Sequence, residues 1–307
     1  MECIQNSTAT ASATKVPAVT IGPVLYFWSK AKLQAFYQHA AQSAATTVYL
    51  GETVCSKRRE FGFTDFLDTA YQLRDAGKQV VLSTLTLIEQ QAELKELRKI
   101  IDNGEFMVEA NDMGAVGWLH EKGLPFVAGS ALNIYNELSL RLMVKQGMQR
   151  WVLPVELGRD WILRLLAQPS LADLSQQIEI EVFAYGHLPL AWSGRCFTAR
   201  SENRPKDQCE LCCLNYPNGR LTQSQEGQPL FVLNGIQTQS GQRYNLQNDL
   251  GSMHGWVDYV RLSPEMDGFF DKVQLFANGI NQPLPQHDVN GYWHQVAGFR
   301  QTSETIE

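Results

Sequence analysis

Short apolar runs and longer amphipathic stretches alternate along most of the chain. Nine apolar runs have the composition of β-strands: 18–28, 47–50, 79–85, 106–110, 125–128, 151–154, 178–184, 229–233 and 257–262. Six amphipathic stretches of helical length lie between the earlier runs: 30–43, 65–76, 87–103, 114–122, 136–146 and 158–167. This alternation predicts parallel strands that are joined by right-handed helical crossovers.

Glycines follow several of the amphipathic stretches, as Gly77, Gly104 and Gly123 do, and glycine is the usual residue just past a helix end. Six βα units followed by further strands favour an α/β fold of the (β/α)8 TIM-barrel type, typically about 250 residues long. A doubly wound sheet is less favoured because no Gly-rich dinucleotide motif follows the first strand. We therefore predict one barrel domain over residues 16–307, with a cysteine-bearing insertion at 194–228 after the seventh strand.

Composition narrows the class of protein. The 307 residues are 44% hydrophobic and carry a formal net charge of −6, which is typical of a globular protein and argues against a general nucleic-acid binder. No apolar run approaches the roughly 18 residues that a membrane-spanning helix needs. Residues 1–15 lack the apolar core of a secretory signal, so we expect a short disordered leader on a cytoplasmic protein.

Cysteines mark the most unusual stretch of the chain. Cys196, Cys209, Cys212 and Cys213 fall within a polar segment that has no apolar periodicity, and such a segment needs an external source of order. Thiolate ligation of a metal would supply folding free energy to it. Clustered cysteines in a reducing compartment also favour metal or redox chemistry over disulfides.

Two further cysteines lie elsewhere. Cys55 follows the second strand, where a loop at the mouth of a barrel could present it, whereas Cys3 lies in the leader and is a poor ligand candidate. We therefore predict a four-thiolate site from Cys55, Cys196, Cys209 and one of the adjacent pair at 212–213, since both spacings from Cys209 are chemically possible. Such a site suits an iron–sulfur cluster or zinc. The dispersed spacing favours the cluster, because structural zinc usually takes two close pairs.

Polar residues end several predicted strands and should face the barrel mouth, where substrates bind. They are Glu109, Asn111, Asp112, Asn133, Asn136 and Glu156. Asp112 and Asn136 are equally suited to cap the helices that follow them. Tyr185 and His187 end the seventh strand, and we expect His187 to be structural. Trp118 and Trp151 are predicted to be core residues.

Several stretches carry a resemblance to a known family. The run EVFAYGHLPLAWSGRC at 181–196 is similar to the signature of the collagenase-like peptidase family. FMVEAND at 106–112, PFVAGSALNIYN at 125–136 and RPKDQCELCC at 204–213 are similar to its branch in oxygen-independent ubiquinone biosynthesis. LNGIQT at 233–238 and VRLSP at 260–264 extend the similarity, which covers residues 18–300. Pro189 stands where the wider family usually has a cysteine, and this departure resembles the same branch.

The resemblance implies a 4Fe–4S cluster on Cys55, Cys196, Cys209 and Cys213, which leaves Cys212 as the spare thiol. It also implies a heterodimer with the sister protein UbiU and anaerobic hydroxylation of a ubiquinone precursor without O2, with prephenate as oxygen donor. A lipid-carrier accessory protein is expected to present the hydrophobic precursor. No Ser/His/Asp set or His-Glu-x-x-His motif is visible in the sequence, so we do not expect peptidase chemistry despite the family name.

Two other functions remain open. The chain could be a non-catalytic, metal-stabilised scaffold for its partner, or a relative of the RNA-modifying hydroxylases, although its acidic balance argues against RNA. Four basic residues flank the predicted ligands, namely Lys57, Arg58, Arg195 and Arg204. They either lower the pKa of the thiols and offset cluster charge or form a solvated rim.

Overall fold

A computed structural model describes residues 16–174 and 177–302 of the chain. The strands in these ranges are β1 (Ala18–Ile21), β2 (Thr47–Leu50), β3 (Gln79–Ser83), β4 (Met107–Ala110), β5 (Phe126–Ala128), β6 (Met148–Val152), β7 (Glu179–Trp192), β8 (Arg220–Gln223), β9 (Pro229–Asn234), β10 (Gln237–Asn245), β11 (Tyr259–Leu262) and β12 (Asp288–Val289). The helices are α1 (Lys30–Gln42), α2 (Phe63–Asp75), α3 (Gln91–Ile101), α4 (Met113–Glu121), α5 (Glu137–Lys145), α6 (Arg159–Leu166), α7 (Phe197–Ser201) and α8 (Phe269–Ala277). Short 3-10 helices lie at Ser130–Leu132, Pro169–Leu171, Lys206–Gln208, Cys212–Asn215 and Gln247–Met253. The predicted leader at 1–15 lies outside the described residues.

Eight parallel strands close into a barrel. The strands β1 to β7 pair in chain order, and β11 closes the ring because it pairs with both β7 and β1. Val260 of β11 lies opposite Val19 on one side and Val182 on the other. The predicted (β/α)8 barrel is therefore confirmed, and β11 is its eighth strand.

Several predicted element bounds are wrong for identifiable reasons. The first run, 18–28, is a strand only to Ile21, because Gly22 and Pro23 follow and proline has no N–H for a strand ladder. β6 begins at Met148 instead of 151, since the charged Arg150 points into the barrel and interrupts the apolar pattern. The run at 229–233 forms the antiparallel β9, not a barrel strand.

The main apolar core lies between the barrel strands and the surrounding helices. In α3, for example, Leu97 and Ile101 lie one helical turn apart and both are buried. The predicted helix ends are confirmed, because Gly77 and Gly104 have φ values of +82° and +80° just past α2 and α3. No helix of the described ranges has the length and apolar character needed to cross a bilayer.

The sheet continues beyond the barrel at β7. This 14-residue strand continues past Gly186, where φ is +122° and a Cβ would lie 2.6 Å from the Cβ of Ser263. Its outer half pairs antiparallel with β10, which in turn pairs with β9, and β9 with β8. Residues 193–258 thus separate β7 from β11, and the predicted insertion at 194–228 is the first part of this stretch.

Candidate metal centre

The loop after β2 presents Cys55. Gly51 turns the chain with a φ of +146°, and a Cβ there would lie only 2.2 Å from the carbonyl oxygen of Ser83, so the position requires glycine. The Glu52 carboxylate then accepts hydrogen bonds from the backbone N–H groups of Val54 (2.8 Å) and Cys55 (2.9 Å). These bonds order the loop and hold the Cys55 backbone in place.

Cys196 caps the short helix α7. Its Sγ accepts a hydrogen bond from the N–H of Ala199 at 3.4 Å, and the residue is 7% exposed. The N–H of Phe197 donates to the carbonyl of Gly235 at 2.7 Å, and the Thr198 hydroxyl accepts from the N–H of Gly235 at 2.9 Å. The turn between β9 and β10 therefore docks on the start of α7.

The segment 209–213 places three thiols on one tight turn. Glu210 and Leu211 have φ values of +47° and +54°, a left-handed pair that non-glycine residues adopt only when their surroundings hold them there. The N–H of Cys212 donates to the carbonyl of Cys209 at 3.0 Å. This geometry folds the chain back on itself, so that Cys209, Cys212 and Cys213 lie on a single turn.

All five described cysteines converge on one place. Cys196 and Cys212 belong to a small buried apolar cluster, and Cys55 and Cys209 pack against it. Cys213 lies within electrostatic range of both Cys55 and Cys196. The structure thus brings the four predicted ligands and Cys212 together, while Cys3 lies outside the described residues.

Three lysine-centred contacts join the loops that carry these thiols. Lys57 Nζ donates to the carbonyl of Lys206 at 2.8 Å, which ties the β2 loop to the cysteine segment. Lys206 Nζ donates to the carbonyl of Gly194 at 2.8 Å and pairs with Glu89. Chain segments after β2, β3 and β7 are therefore linked around the cysteines.

Of the four flanking basic residues, Arg58 is the one that lies buried against the thiols. Burial raises the pKa of Cys55, and it raises the pKa of Cys213 to about 11, whereas Arg58 lowers both pKa values and hydrogen-bonds to Cys213. Arg195 is exposed, and Arg204 pairs with Glu210. Arg58 thus lowers the pKa of the Cys55 and Cys213 thiols, as predicted, but burial raises both pKa values by more.

The donor set fits an iron–sulfur cluster. Cysteine thiolates are the ligands that such a cluster takes, and Arg58 would offset part of the negative charge of ligated thiolates at Cys55 and Cys213. In the described ranges no three His, Cys, Asp or Glu side chains are placed to hold one metal ion. A four-iron cluster has a different requirement, because each of its cysteines binds a different iron.

Below the cysteines, the barrel interior holds a buried ionic network. Glu181 accepts from Arg261 Nε at 2.8 Å and from Thr20 Oγ1 at 2.6 Å, and it is also bound by Tyr49. Arg261 Nη1 donates to Glu109 at 2.6 Å. Although burial raises the pKa of Glu181, Arg261 and Arg150 outweigh that effect and hold the pKa below its usual value.

Sequence reasoning placed Glu109 at the mouth but missed Arg261 and Arg150. The available signal was a charged residue inside an apolar strand, as in YVRL at 259–262, because a buried charge requires a partner. Arg261 is 6% exposed and its Nη2 has no hydrogen-bond partner within the described part of the chain.

A small cavity at the barrel mouth lies between this network and the thiols. Its volume is about 40 Å³, room for one water-sized or carboxyl-sized group. Three of its lining residues have a buried polar atom without a partner among the described residues, namely Arg261 Nη2, Thr53 Oγ1 and Trp192 Nε1. This cavity can therefore bind a polar group that accepts hydrogen bonds.

The other predicted mouth residues have structural roles. Asp112 caps α4 by accepting from the N–H of Gly114 (2.7 Å), and Asn136 caps α5 by accepting from the N–H of Ser139 (3.0 Å). Glu156 binds the Tyr135 hydroxyl, and Asn133 ends a 3-10 helix with a left-handed backbone. Asn111 is different, since it lines the mouth cavity and donates to the carbonyl of Thr84 at 3.0 Å.

Tyr185 and His187 form hydrogen bonds with elements that carry none of the thiols. The Tyr185 hydroxyl donates to Glu265 at 3.2 Å, and His187 Nδ1 contacts the carbonyl of Ser240 at 2.7 Å. Burial lowers the pKa of His187. Trp151 is fully buried and Trp118 packs against the main core, as predicted.

Comparison with known proteins gives a family. The family model described as Peptidase family U32 matches residues 29–253. An uncharacterized protease of Methanocaldococcus jannaschii is 27% identical over 165 residues, which are 52% of this chain and 40% of that protein. A collagenase of Porphyromonas gingivalis is 26% identical over 186 residues, or 56% of this chain and 44% of that protein. The chain thus matches less than half the length of these two relatives.

Among solved structures, one described as a U32 peptidase superposes with a TM-score of 0.44 at 11% identity. The superposition covers 85% of this chain and 98% of that one.

Proposed function

The chain belongs to peptidase family U32, and on that premise we propose that it is a UbiV-type iron–sulfur subunit of an O2-independent hydroxylase. It acts with UbiU as a heterodimer on a ubiquinone precursor in the cytoplasm, with prephenate as the oxygen donor. A lipid-carrier accessory protein delivers the hydrophobic precursor. The resemblance of residues 181–196 and 204–213 to that branch supports this narrower assignment.

One observation carries the proposal: Cys55, which the sequence places about 140 residues before Cys196, packs against the buried cluster that contains Cys196, and Cys213 lies within electrostatic range of both. Cys55, Cys196, Cys209 and Cys213 would hold a 4Fe–4S cluster. When bound, such a cluster supplies one-electron transfer. Arg58 would offset negative charge at the thiolates, and the docked turn at Gly235 helps to exclude water from them.

The mouth cavity suits the polar end of a substrate. Arg261 Nη2 and Trp192 Nε1 are donors there that have no partner among the residues the structure describes, and active sites of such barrels lie at this end of the strands. These donors would orient a carboxylate next to the cysteine loops. Glu109 and Glu181 would hold Arg261 in that orientation from below.

Metal analysis of the protein purified without oxygen tests the assignment. We expect about four iron and four sulfide per chain, with broad absorption near 400 nm that Cys196→Ala abolishes. Colourless protein with one tightly bound zinc would contradict the cluster. Activity is then tested with UbiU present: Cys196→Ala should stop hydroxylation of the precursor, and unchanged product would favour a metal-stabilised scaffold.

Peptidase activity is the second candidate, because the curated relatives are described as a protease and a collagenase. Release of fluorescent fragments from labelled gelatin measures it directly. Hydrolysis that survives purification and does not require iron would favour this candidate over the hydroxylase. The RNA-modifying alternative is tested by gel shift with RNA, and we expect no binding at physiological salt.

A further inference from the structure

A cavity lies between the barrel and the helices α2 and α3. Its volume is about 440 Å³, within the range of small-molecule sites. The ends of β2 and β3 form its floor, and the loop that carries Cys55 forms one side. No residue that lines the mouth cavity also lines this one, so the two cavities are separate.

One wall of this cavity is apolar. Phe63 and Phe66 of α2 face Ile88 before α3, and Leu97 and Ile100 of α3 complete the wall. Phe63, Phe66 and Ile88 are only partly buried, so apolar surface remains available to an occupant. A hydrocarbon chain that covered this surface would gain binding free energy from the area removed from water.

The other end of the cavity is polar and adjoins Cys55. Glu52 lines it while accepting from the N–H of Cys55, and Ser56, the next residue, lines it while donating to Glu93 at 2.6 Å. An occupant therefore reaches the loop that holds one predicted cluster ligand. It would present a polar head to this end and an apolar chain to the other.

The charges of the lining residues balance. The cations are Lys57, Arg58 and Arg59, and the carboxylates are Glu52, Glu93 and Glu96. Arg58 and Glu52 pair at 3.7 Å, and Glu93 is bound by Ser56 and two backbone N–H groups. A lining with no net charge favours an uncharged ligand over an anion or a cation.

From these observations we infer that the cavity between α2 and α3 binds an uncharged phenol or quinone ring that carries a hydrocarbon chain. The hydrocarbon chain of the ligand lies along the wall formed by Phe63, Phe66 and Ile88. Its ring lies at the Glu52–Ser56 end of the cavity, beside the Cys55 loop. This inference rests on the proposed function, which supplies a substrate of that class. It assigns binding of the substrate to this chain and not to its partner alone.

Equilibrium dialysis of the full chain, purified without oxygen, tests this with 4-hexylphenol as the probe. Phenol should bind about 100-fold more weakly, because it leaves the apolar wall uncovered. Hexanoate should bind about tenfold more weakly, because its carboxylate would lose hydration without gaining a net positive partner. Equal binding of 4-hexylphenol and phenol, or tighter binding of hexanoate, overturns the inference.

Two variants and a matched control locate the site. Ala92→Trp fills the cavity from an exposed position on α3, and Ile88→Glu adds a charge to the wall; each should weaken 4-hexylphenol binding about tenfold or more. Leu138→Trp is the control, since Leu138 is also the second residue of its helix and is 77% exposed. Equal dissociation constants for Ala92→Trp and Leu138→Trp would overturn the assignment. Iron content is measured on the same samples, so failure of the proposed function is read separately from failure to bind the probe.

Discussion

Arg58 and Asn234 join two loops that lie 176 positions apart: Arg58 Nη2 donates to Asn234 Oδ1 at 2.7 Å. Both side chains also donate to the carbonyl of Leu25, at 2.7 and 2.8 Å. One guanidinium and one amide thereby connect the segment after β1, the Cys55 loop and the turn between β9 and β10.

Replacing Asn234 by Leu should destabilise the fold, because it removes the acceptor of the buried Arg58 Nη2 and one of the two donors to the Leu25 carbonyl. We expect a loss of about 1–3 kcal/mol in the free energy of unfolding, measured by urea denaturation. Gln91→Ala, at an exposed position on α3, is the control and should stay within about 0.5 kcal/mol of the parent. Equal effects of the two substitutions would show that the Asn234 contacts contribute nothing.

Glu181→Gln should be among the most destabilising substitutions in the barrel. It leaves Arg261 and Arg150 in the interior without that carboxylate, and removal of one partner from a buried ion pair costs about 3–5 kcal/mol. Glu179→Gln is a control on the same strand, because Glu179 also pairs with Arg150 but its side chain is 43% exposed; we expect about 1 kcal/mol or less. Similar unfolding free energies for the two variants would contradict a stabilising role for the network.

The same network predicts a pH dependence. The folded-state pKa of Glu181 lies below the usual 4.5, so the unfolded chain binds the proton more readily. The stabilisation is therefore complete above pH 4.5 and is lost as the pH falls below it. The unfolding free energy of the parent should decrease more steeply below pH 4.5 than that of Glu181→Gln. Parallel curves for the two proteins would show that Glu181 makes no contribution.

Gly51→Ala tests the turn that presents Cys55. The new methyl group would lie 2.2 Å from the carbonyl oxygen of Ser83 at a φ of +146°, so we expect a lower melting temperature and less bound iron. Gly117→Ala is the control and should change the stability in the opposite direction. Gly117 lies inside α4 with open space around it, so alanine there should stabilise the helix by about 0.5–1 kcal/mol. Melting followed by circular dichroism, with iron analysis, distinguishes the two; unchanged stability of Gly51→Ala would refute the steric argument.

The choice between the adjacent cysteines can be decided by paired substitutions. We expect Cys213→Ser to lose most of its bound iron and Cys212→Ser to retain it, on the basis of the family resemblance and the contact between Cys213 and Arg58. Iron per chain after anaerobic purification measures this. The reverse pattern would assign the ligand to Cys212, which lies near Cys196 and Cys209.

The barrel could be predicted because the sequence pattern that indicates it lies within short, local stretches of the chain. Each βα unit carries its own apolar period and helix stop, so the alternation up to β6 is visible without any long-range information. The end of the barrel was not predictable in the same way. The runs at 229–233 and 257–262 have similar composition, and only their partners distinguish them: β9 pairs antiparallel with β10, whereas β11 lies between β7 and β1.

By itself the sequence determined the fold class, the helix ends at Gly77 and Gly104, and the thiols available to a metal. Only the tertiary structure decided that Arg261 and Glu181 share the barrel interior, that Arg58 lies against Cys213, and that a cavity adjoins the Cys55 loop. The physical reason is range: hydrophobic periodicity and turn preferences act between neighbouring residues, whereas ion pairs, clustered thiols and cavities depend on segments that meet only when the barrel closes.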